Sequence, residues 1–322
     1  MNNYSFLEQL LHKIVLSSKF LKELSFDLEK SFFLNFVDDY PDNHVFITGL
    51  ARSGTTILLN SIHQTKIFGS LSYDDMPFIL SPNLWSTING NGFQKKSIER
   101  AHGDSIKIFT NSPEAFEEVF WMAFKSDNED LLYQFSEYVK LILYKKGEMR
   151  YLSKNNQNVK RIDLIKRVFP NSKILIPFRD PLQHSYSLLV QHERFTKKQK
   201  KDEFIRNYMK WIGHSEFGID YEPIMNEEIK YNNINELNHW LEQWFFLYQK
   251  LYYYKTDNKV LFVCYEGLCE NDLVWDSIQS FIGINDTKGL EFIKSTKEIR
   301  LPYNKDLYNR CLTIYQKLKK LL

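Results

Sequence analysis

Apolar residues recur at helical spacing near the start of the chain, first Phe6, Leu7, Leu10, Leu11, Ile14 and Val15, then Phe20, Leu21, Leu24 and Leu28. This period predicts a helical N-terminal extension over residues 5–36, which Pro41-Asp42-Asn43 ends. The pattern then changes. Val45-Phe46-Ile47 is a short β-rich run, Gly49 to Gly54 a glycine-bounded hexapeptide, and Ile57-Leu58-Leu59-Asn60 helix-compatible. Further strands are expected at Ile67-Phe68-Gly69, at Met149 to Ser153, at Lys173 to Phe178 and at Lys259 to Tyr265. The last is a continuous apolar run of the kind buried in parallel sheets. Helical periods run from Ala115 to about Lys145 and from Leu237 to Tyr254. Ser112-Pro113 gives the first a start signal, and Ser81 to Gly92 reads as a loop.

The strand–loop–helix at 44–60 carries the first chemistry. A tight loop at a helix N-terminus presents unbonded backbone N–H groups and the positive end of the helix dipole, which favour an anion. Gly49 and Gly54 permit the turn, Arg52 adds a fixed charge, and hydroxyls follow at Ser53, Thr55 and Thr56. A nucleoside-triphosphatase loop has lysine at the position of Thr55, whereas here the cation lies inside the loop. A glycine-rich turn before an ordinary helix is the plainer alternative.

Gly49-Leu50-Ala51-Arg52-Ser53-Gly54-Thr55-Thr56 resembles the 5′-phosphosulfate loop of sulfotransferases that use 3′-phosphoadenosine-5′-phosphosulfate (PAPS), where a basic residue precedes Ser-Gly-Thr-Thr. A second element strengthens the resemblance about 125 residues later. Lys173 to Phe178, then Arg179-Asp180-Pro181 and a helix, is similar to the family's 3′-phosphate element. In that family an arginine at the strand end and a serine eight positions on hold the phosphate. Counting from Arg179 lands on Ser187, with Ser185 a near miss. Arginine suits the role because its planar fork makes two parallel hydrogen bonds. Asp180 and Pro181 read as a helix cap and first helical residue, and Pro177 inside the strand suits an edge or bulge.

Lys154, in a Lys-Asn dipeptide at a strand end, is implied to touch the sulfate or bridging oxygen; an exposed turn lysine is the alternative. Asp74 and Asp75 follow the loop by just over twenty residues, about where carbohydrate and protein-tyrosine sulfotransferases carry a base. Asp75 is assigned to that role and Asp74 to capping, with His102 as a rival base and a helix cap as the other use of either aspartate. Glu114, Glu117 and Glu118 read as helix-dipole partners. A Tyr-Glu pair after the last strand, Tyr265-Glu266, also occurs late in many sulfotransferases. The basic glycine-rich loop near the C-terminus of many cytosolic members is absent. That places the chain nearer the carbohydrate or protein-tyrosine branch and leaves adenine contacts open. The resemblance covers Val45 to about Ser187 in motif detail.

It implies one α/β domain of the three-layer P-loop type over 1–322, with a central parallel sheet in 41–322 and the helical extension in 1–40. The implied reaction moves the sulfuryl group from PAPS to a hydroxyl or amine of a glycan or small metabolite, with no metal. A kinase using Mg-ATP, or a nucleotide-binding protein without turnover, are the rivals. Composition narrows the partners. A net charge of +2 gives no case for nucleic acid. No apolar run approaches the ~20 residues of a membrane span. Three cysteines, Cys264, Cys269 and Cys311, form no C-x-x-C pair, which suits a reducing, cytoplasmic setting.

Overall fold

In a computed structural model, which describes residues 5–321 apart from 90–96, 99–107, 110, 125–128, 226–228, 286–291 and 293–295, five parallel strands build a central sheet. They are β1 (Val45–Ile47), β2 (Phe68–Gly69), β5 (Arg150–Lys154), β6 (Lys173–Phe178) and β7 (Val260–Cys264), in the spatial order β2-β5-β1-β6-β7. Two further short strands, β3 (Ser97–Ile98) and β4 (Ile108–Phe109), pair antiparallel with each other.

Period-two alternation divides the strand side chains between two cores. Phe46, Ile174, Ile176 and Phe178 belong to one, and Val45, Ile47, Leu152, Leu175 and Val263 to the other. Helices cover both faces. In chain order they are α1 (Phe6–Ser17), α2 (Lys19–Phe33), α3 (Thr55–His63), α4 (Pro82–Asn89), α5 (Glu118–Ala123), α6 (Glu129–Lys146), α7 (Ile162–Val168), α8 (Pro181–Lys201), α9 (Glu203–Trp211), α10 (Leu237–Leu251), α11 (Tyr265–Glu270), α12 (Asp272–Ile282) and α13 (Lys305–Lys319). Leu58, Leu59 and Ile62 of α3 and Trp275, Ile278 and Ile282 of α12 fill the smaller core. The larger core is aromatic, with Trp240, Trp244 and Tyr248 of α10 buried in it. No helix among the described residues is long and apolar enough to cross a membrane.

The N-terminal helices are tied in by a buried carboxylate. Glu29 of α2 accepts from the Asn83 and Leu84 amides and the Asn83 side chain at 2.7–2.9 Å, an acidic cap on the start of α4. Burial nonetheless raises the Glu29 pKa.

Three local expectations fail for identifiable reasons. Residues 82–89 form α4, not a loop: Ser86 and Thr87 turn their hydroxyls back onto the Asn83 carbonyl, which lets small polar residues sit in a helix. The helical run from Ala115 is two helices, and the first begins at Glu118, because Pro113 bridges to Ser72 as extended chain. Pro177 lies in an interior strand. Lys173 N–H bonds His44 on the β1 side and Ile174 N–H bonds Lys259 on the β7 side. Alternation turns position 177 toward β1, beyond its last residue, so no ladder bond is lost.

The connections fix where a ligand can sit. The chain leaves β1 toward β2, whereas it leaves β6 toward β7 in the opposite direction. The carboxyl ends of β1 and β6, hydrogen-bonded neighbours, therefore form a topological switch point, where open α/β sheets open a crevice.

Candidate active site

The loop after β1 has the backbone of an anion cradle. Gly49 has φ 147°, Arg52 φ 69° and Gly54 φ 102°, and the left-handed conformation of Arg52 is uncommon outside glycine. Gly54 is the N-cap of α3 and has no side chain to occupy the helix end. The first ladder bond runs from Leu58 N–H to the Gly54 carbonyl, so the amides of Thr55, Thr56 and Ile57 precede it. A Cβ on Gly54 would lie 2.5 Å from the Tyr265 ring, so glycine is required there for space as well as for φ. Thr55 is buried, and Thr56 is half-buried. Ser53 differs from expectation. Its N–H and its hydroxyl both bond the Leu50 carbonyl, at 3.3 and 2.8 Å, and the residue is fully buried. It shapes the loop, and its hydroxyl is turned inward.

Three elements brace that shape. Thr48 Oγ1 donates to the Asn155 carbonyl at 2.9 Å, and Asn155 N–H returns a bond to Ile47, stitching the loop to the end of β5. His184 of α8 bonds the Ala51 carbonyl through Nε2 at 2.8 Å. Since a carbonyl only accepts, Nε2 carries the proton. Burial and, secondarily, the nearby Arg179 and Arg52 charges push the His184 pKa down to about 3. Tyr248 of α10 donates its hydroxyl to the Pro177 carbonyl at 2.8 Å, below Gly49.

The corner after β6 meets this loop. Asp180 caps α8 by accepting from the Leu182 and Gln183 amides at 3.0 and 2.9 Å, with Pro181 at the first helical position. In the second turn of α8, Ser187 faces the loop, and Arg52 Nε donates to its hydroxyl at 3.3 Å across 135 residues of sequence. Ser185 is fully buried and its Oγ has no hydrogen-bond partner. Between the two serines, the structure brings Ser187 to the cradle. The Arg179 guanidinium lies over the Tyr265 ring at 5.2 Å, and its Nε is 4.0 Å from Glu266. Glu266 also accepts from the Asp180 amide at 2.9 Å and the Tyr315 hydroxyl at 3.1 Å. The Tyr265 phenol is pushed up to about 12 by burial. Arg52, Arg179 and Ser187 thus converge on one crevice.

Lys154 ends β5 opposite Ile47 in register and is buried, so it is not an exposed turn lysine. Glu117 and Glu118 are not dipole ornaments of an exposed helix. Glu118 takes Arg161 through both oxygens at 2.7 Å and accepts from Asn155 at 2.8 Å. Glu117 accepts from Trp121, Tyr151 and Asn158. Glu114 accepts from the Tyr73 hydroxyl at 3.0 Å.

The assignment of Asp75 as base is corrected. Asp75 is fully buried, and its carboxylate accepts from Lys145 at 2.5 Å, from Lys146 at 2.8 Å and from the Ser72 amide at 2.7 Å. Burial opposes its ionisation, but the two ammonium groups outweigh that and hold the carboxyl below its ordinary range. With every lone pair directed at a cation or an amide, it cannot take a proton from an acceptor. The cap falls to Asp75 as well, since it forms a capping box with Ser72; Asp74 is partly exposed. His102 lies outside the described residues.

Sequence reasoning missed Glu266, Tyr265, His184 and Tyr248 as parts of the site. The first two carried a signal, polar residues at the carboxyl end of a parallel strand. The other two lie on apolar helix faces and had none.

Residues 44–227, more than half of the chain, match the family described as the sulfotransferase family. No curated protein matches the sequence. Among solved structures, the chain is similar to the sulfotransferase STF1 from Mycobacterium tuberculosis H37Rv at 12% identity and a TM-score of 0.52, covering 98% of this chain and 86% of that one. STF9 from Mycobacterium avium gives 11% identity and a TM-score of 0.48 over 94% and 75% of the two chains. The sulfotransferase from Alicyclobacillus acidocaldarius gives 16% identity and 0.44 over 88% and 96%.

Proposed function

Because the chain belongs to the sulfotransferase family, we propose that it transfers the sulfuryl group of PAPS to a hydroxyl or amine of a glycan or small metabolite. One observation carries the choice of donor: Arg52 of the loop reaches Ser187 of α8, so the expected holders of the 5′- and 3′-phosphates share one crevice. The residues fit such a nucleotide. The α3 N-terminal amides and Thr55 and Thr56 would hold the 5′-phosphate, and Arg179 with Ser187 the 3′-phosphate. Glycine at 49 and 54 gives the loop its positive-φ turns and leaves room for the Pro177 carbonyl and the Tyr265 ring that pack against it.

When bound, PAPS supplies an activated sulfuryl group on a phosphate leaving group. The chain's own part is electrostatic. Arg52, fixed by its left-handed backbone and its bond to Ser187, stabilises charge growing on the leaving phosphate, aided by pre-aligned amides. To Lys154, buried at the end of β5, we assign the neutralisation of the transferring sulfonate. The three cysteines are free thiols, in keeping with a cytoplasmic enzyme, and we read 1–322 as one domain of the P-loop type.

The test is transfer of 35S from labelled PAPS to a pool of alcohols, sugars and amines. The wild type should label an acceptor. Arg52→Ala should lower the rate ~10²–10³-fold, the loss typical of one transition-state donor. Labelling unaffected by Arg52→Ala would refute the assigned chemistry.

A further inference from the structure

A narrow recess adjoins the cradle. It is lined by Leu50 and Ala51 of the loop, Leu188 of α8, Ile224, Tyr221, Trp240 and Gln243, with the carboxylates Glu216 and Glu222. Its position is informative, since Ala51 precedes Arg52 and Leu188 follows Ser187, the pair that joins the loop to α8.

The polar groups of the lining are not equivalent. Gln243 is spent on both backbone groups of Met225, at 3.2 and 3.0 Å. Glu222 is exposed. Glu216 is fixed: Asn156 Nδ2 donates to its Oε1 at 2.8 Å, and Asn156 lies two residues beyond Lys154 at the carboxyl end of β5. Asn156 is 4% exposed, and its Oδ1 has no hydrogen-bond partner, an unusual state for a buried polar atom. A carboxylate with one oxygen anchored and a buried carbonyl oxygen lacking a donor therefore stand together beside the loop. The Tyr221 hydroxyl and the Trp240 ring N–H are likewise spent, on His239 and the Ile234 carbonyl, and Leu50, Ala51, Leu188 and Ile224 make the rest of the wall apolar. It offers no set of hydroxyls or amides to match a sugar ring, whose unmatched hydroxyls would be desolvated at a cost.

Resting on the sulfotransferase reading, we propose that this recess receives the acceptor, that the acceptor is an alcohol or phenol on an apolar body rather than a glycan, and that Glu216 is the catalytic base. In the step, the acceptor O–H gives its proton to the Glu216 carboxylate while the acceptor oxygen bonds to sulfur. The bond from sulfur to the bridging oxygen breaks, and its electron pair stays on the 5′-phosphate of adenosine 3′,5′-bisphosphate. Asn156 is a positioning residue, acting through Glu216.

The experiment uses the full chain with PAPS and three probe acceptors, 1-hexanol, 4-nitrophenol and N-acetylglucosamine. Expected is a kcat/KM at least tenfold higher for one of the first two than for the sugar. Glu216→Gln should lower kcat ~10²–10⁴-fold and leave the Kd of adenosine 3′,5′-bisphosphate within about twofold, while Glu216→Asp recovers part of the rate. Leu188→Phe, which narrows the recess, should raise the KM of the apolar probe and spare nucleotide affinity. Equal or better turnover of the sugar, turnover of no probe by protein that binds the bisphosphate, or a Glu216→Gln enzyme with near-normal kcat would each overturn the proposal. Failure of the wild type to bind adenosine 3′,5′-bisphosphate would instead overturn the donor reading beneath it.

Discussion

Two charged clusters follow the central strand, and they are put to opposite uses. At the crevice, Arg52 and Arg179 are held at their edges, by Ser187 on one side and by Tyr265 and Glu266 on the other. Around Asp75, one carboxylate takes two lysines, a backbone amide and a hydroxyl. Both clusters gather residues far apart in sequence, one at the carboxyl ends of β1 and β6 and the other between the turn after β2 and the end of α6. The difference is saturation. Asp75 has its charge and its lone pairs matched within the fold, as a buried ion must. The crevice instead sets Arg52 and Arg179 beside the amides that open α3, an arrangement expected where a phosphate docks. A functional acid or base needs coordination left over; a structural one does not.

That contrast predicts the largest effect at Asp75, on stability and not on chemistry. Asp75→Asn leaves Lys145 and Lys146 mostly buried without their counter-charge, and should cost about 3–5 kcal/mol in urea unfolding. Adenosine 3′,5′-bisphosphate should still bind to the folded fraction with unchanged Kd. An enzyme of normal stability with ~10²-fold lower turnover would return Asp75 to the role of base. The pH sign is fixed by its depressed pKa. The stabilisation is present above the unfolded carboxyl value, about 3.9, and is lost as pH falls through the lower folded value.

At the crevice the effect should fall on affinity. Arg179→Ala should weaken adenosine 3′,5′-bisphosphate by about 2–5 kcal/mol if the pair with the 3′-phosphate is well desolvated, and barely alter adenosine 5′-phosphate. Isothermal titration with both ligands decides it, and equal losses would mean that Arg179 only braces Tyr265 and Glu266.

The smallest effect concerns His184, which braces the loop of the crevice from inside the core. Its folded pKa of about 3 lies far below the ordinary 6.5. A depressed histidine is neutral in both states above pH 6.5 and costs nothing there. As pH falls toward 3, the unfolded chain binds a proton that the folded one refuses. Between pH 7 and 5.5 the wild type should therefore lose about 1 kcal/mol that His184→Gln does not. Parallel curves for the two proteins would place the ring in a more solvated setting.

Much of this was legible in the sequence. The loop, the Arg179 corner and the Asp180 cap were readable because each depends on local chemistry: glycine at forced φ, a cap before proline, a cation at a strand end. Asp75 was misread because its neighbours Lys145 and Lys146 lie seventy residues on, and only the packing of α6 beside β2 brings them there. His184 and Tyr248 stayed hidden for the same reason, since a buried polar tip on an apolar helix face looks like core. Pro177 reads as an edge or bulge residue from sequence, because the end of β1, which lets it sit in an interior strand, is a property of register.

The central claim is that the loop after β1 and the corner after β6 form one site for a 3′,5′-bisphosphorylated adenosine, with Thr55 standing where a triphosphatase would need lysine. Thermal shift tests it most directly, with adenosine 3′,5′-bisphosphate in chelator set against Mg-ATP. The bisphosphate should raise the Tm without metal, reaching roughly 2.7 kcal/mol of stabilisation at a hundredfold excess over its Kd, and Mg-ATP should do less. Greater stabilisation by Mg-ATP, with none from the bisphosphate, would contradict the account.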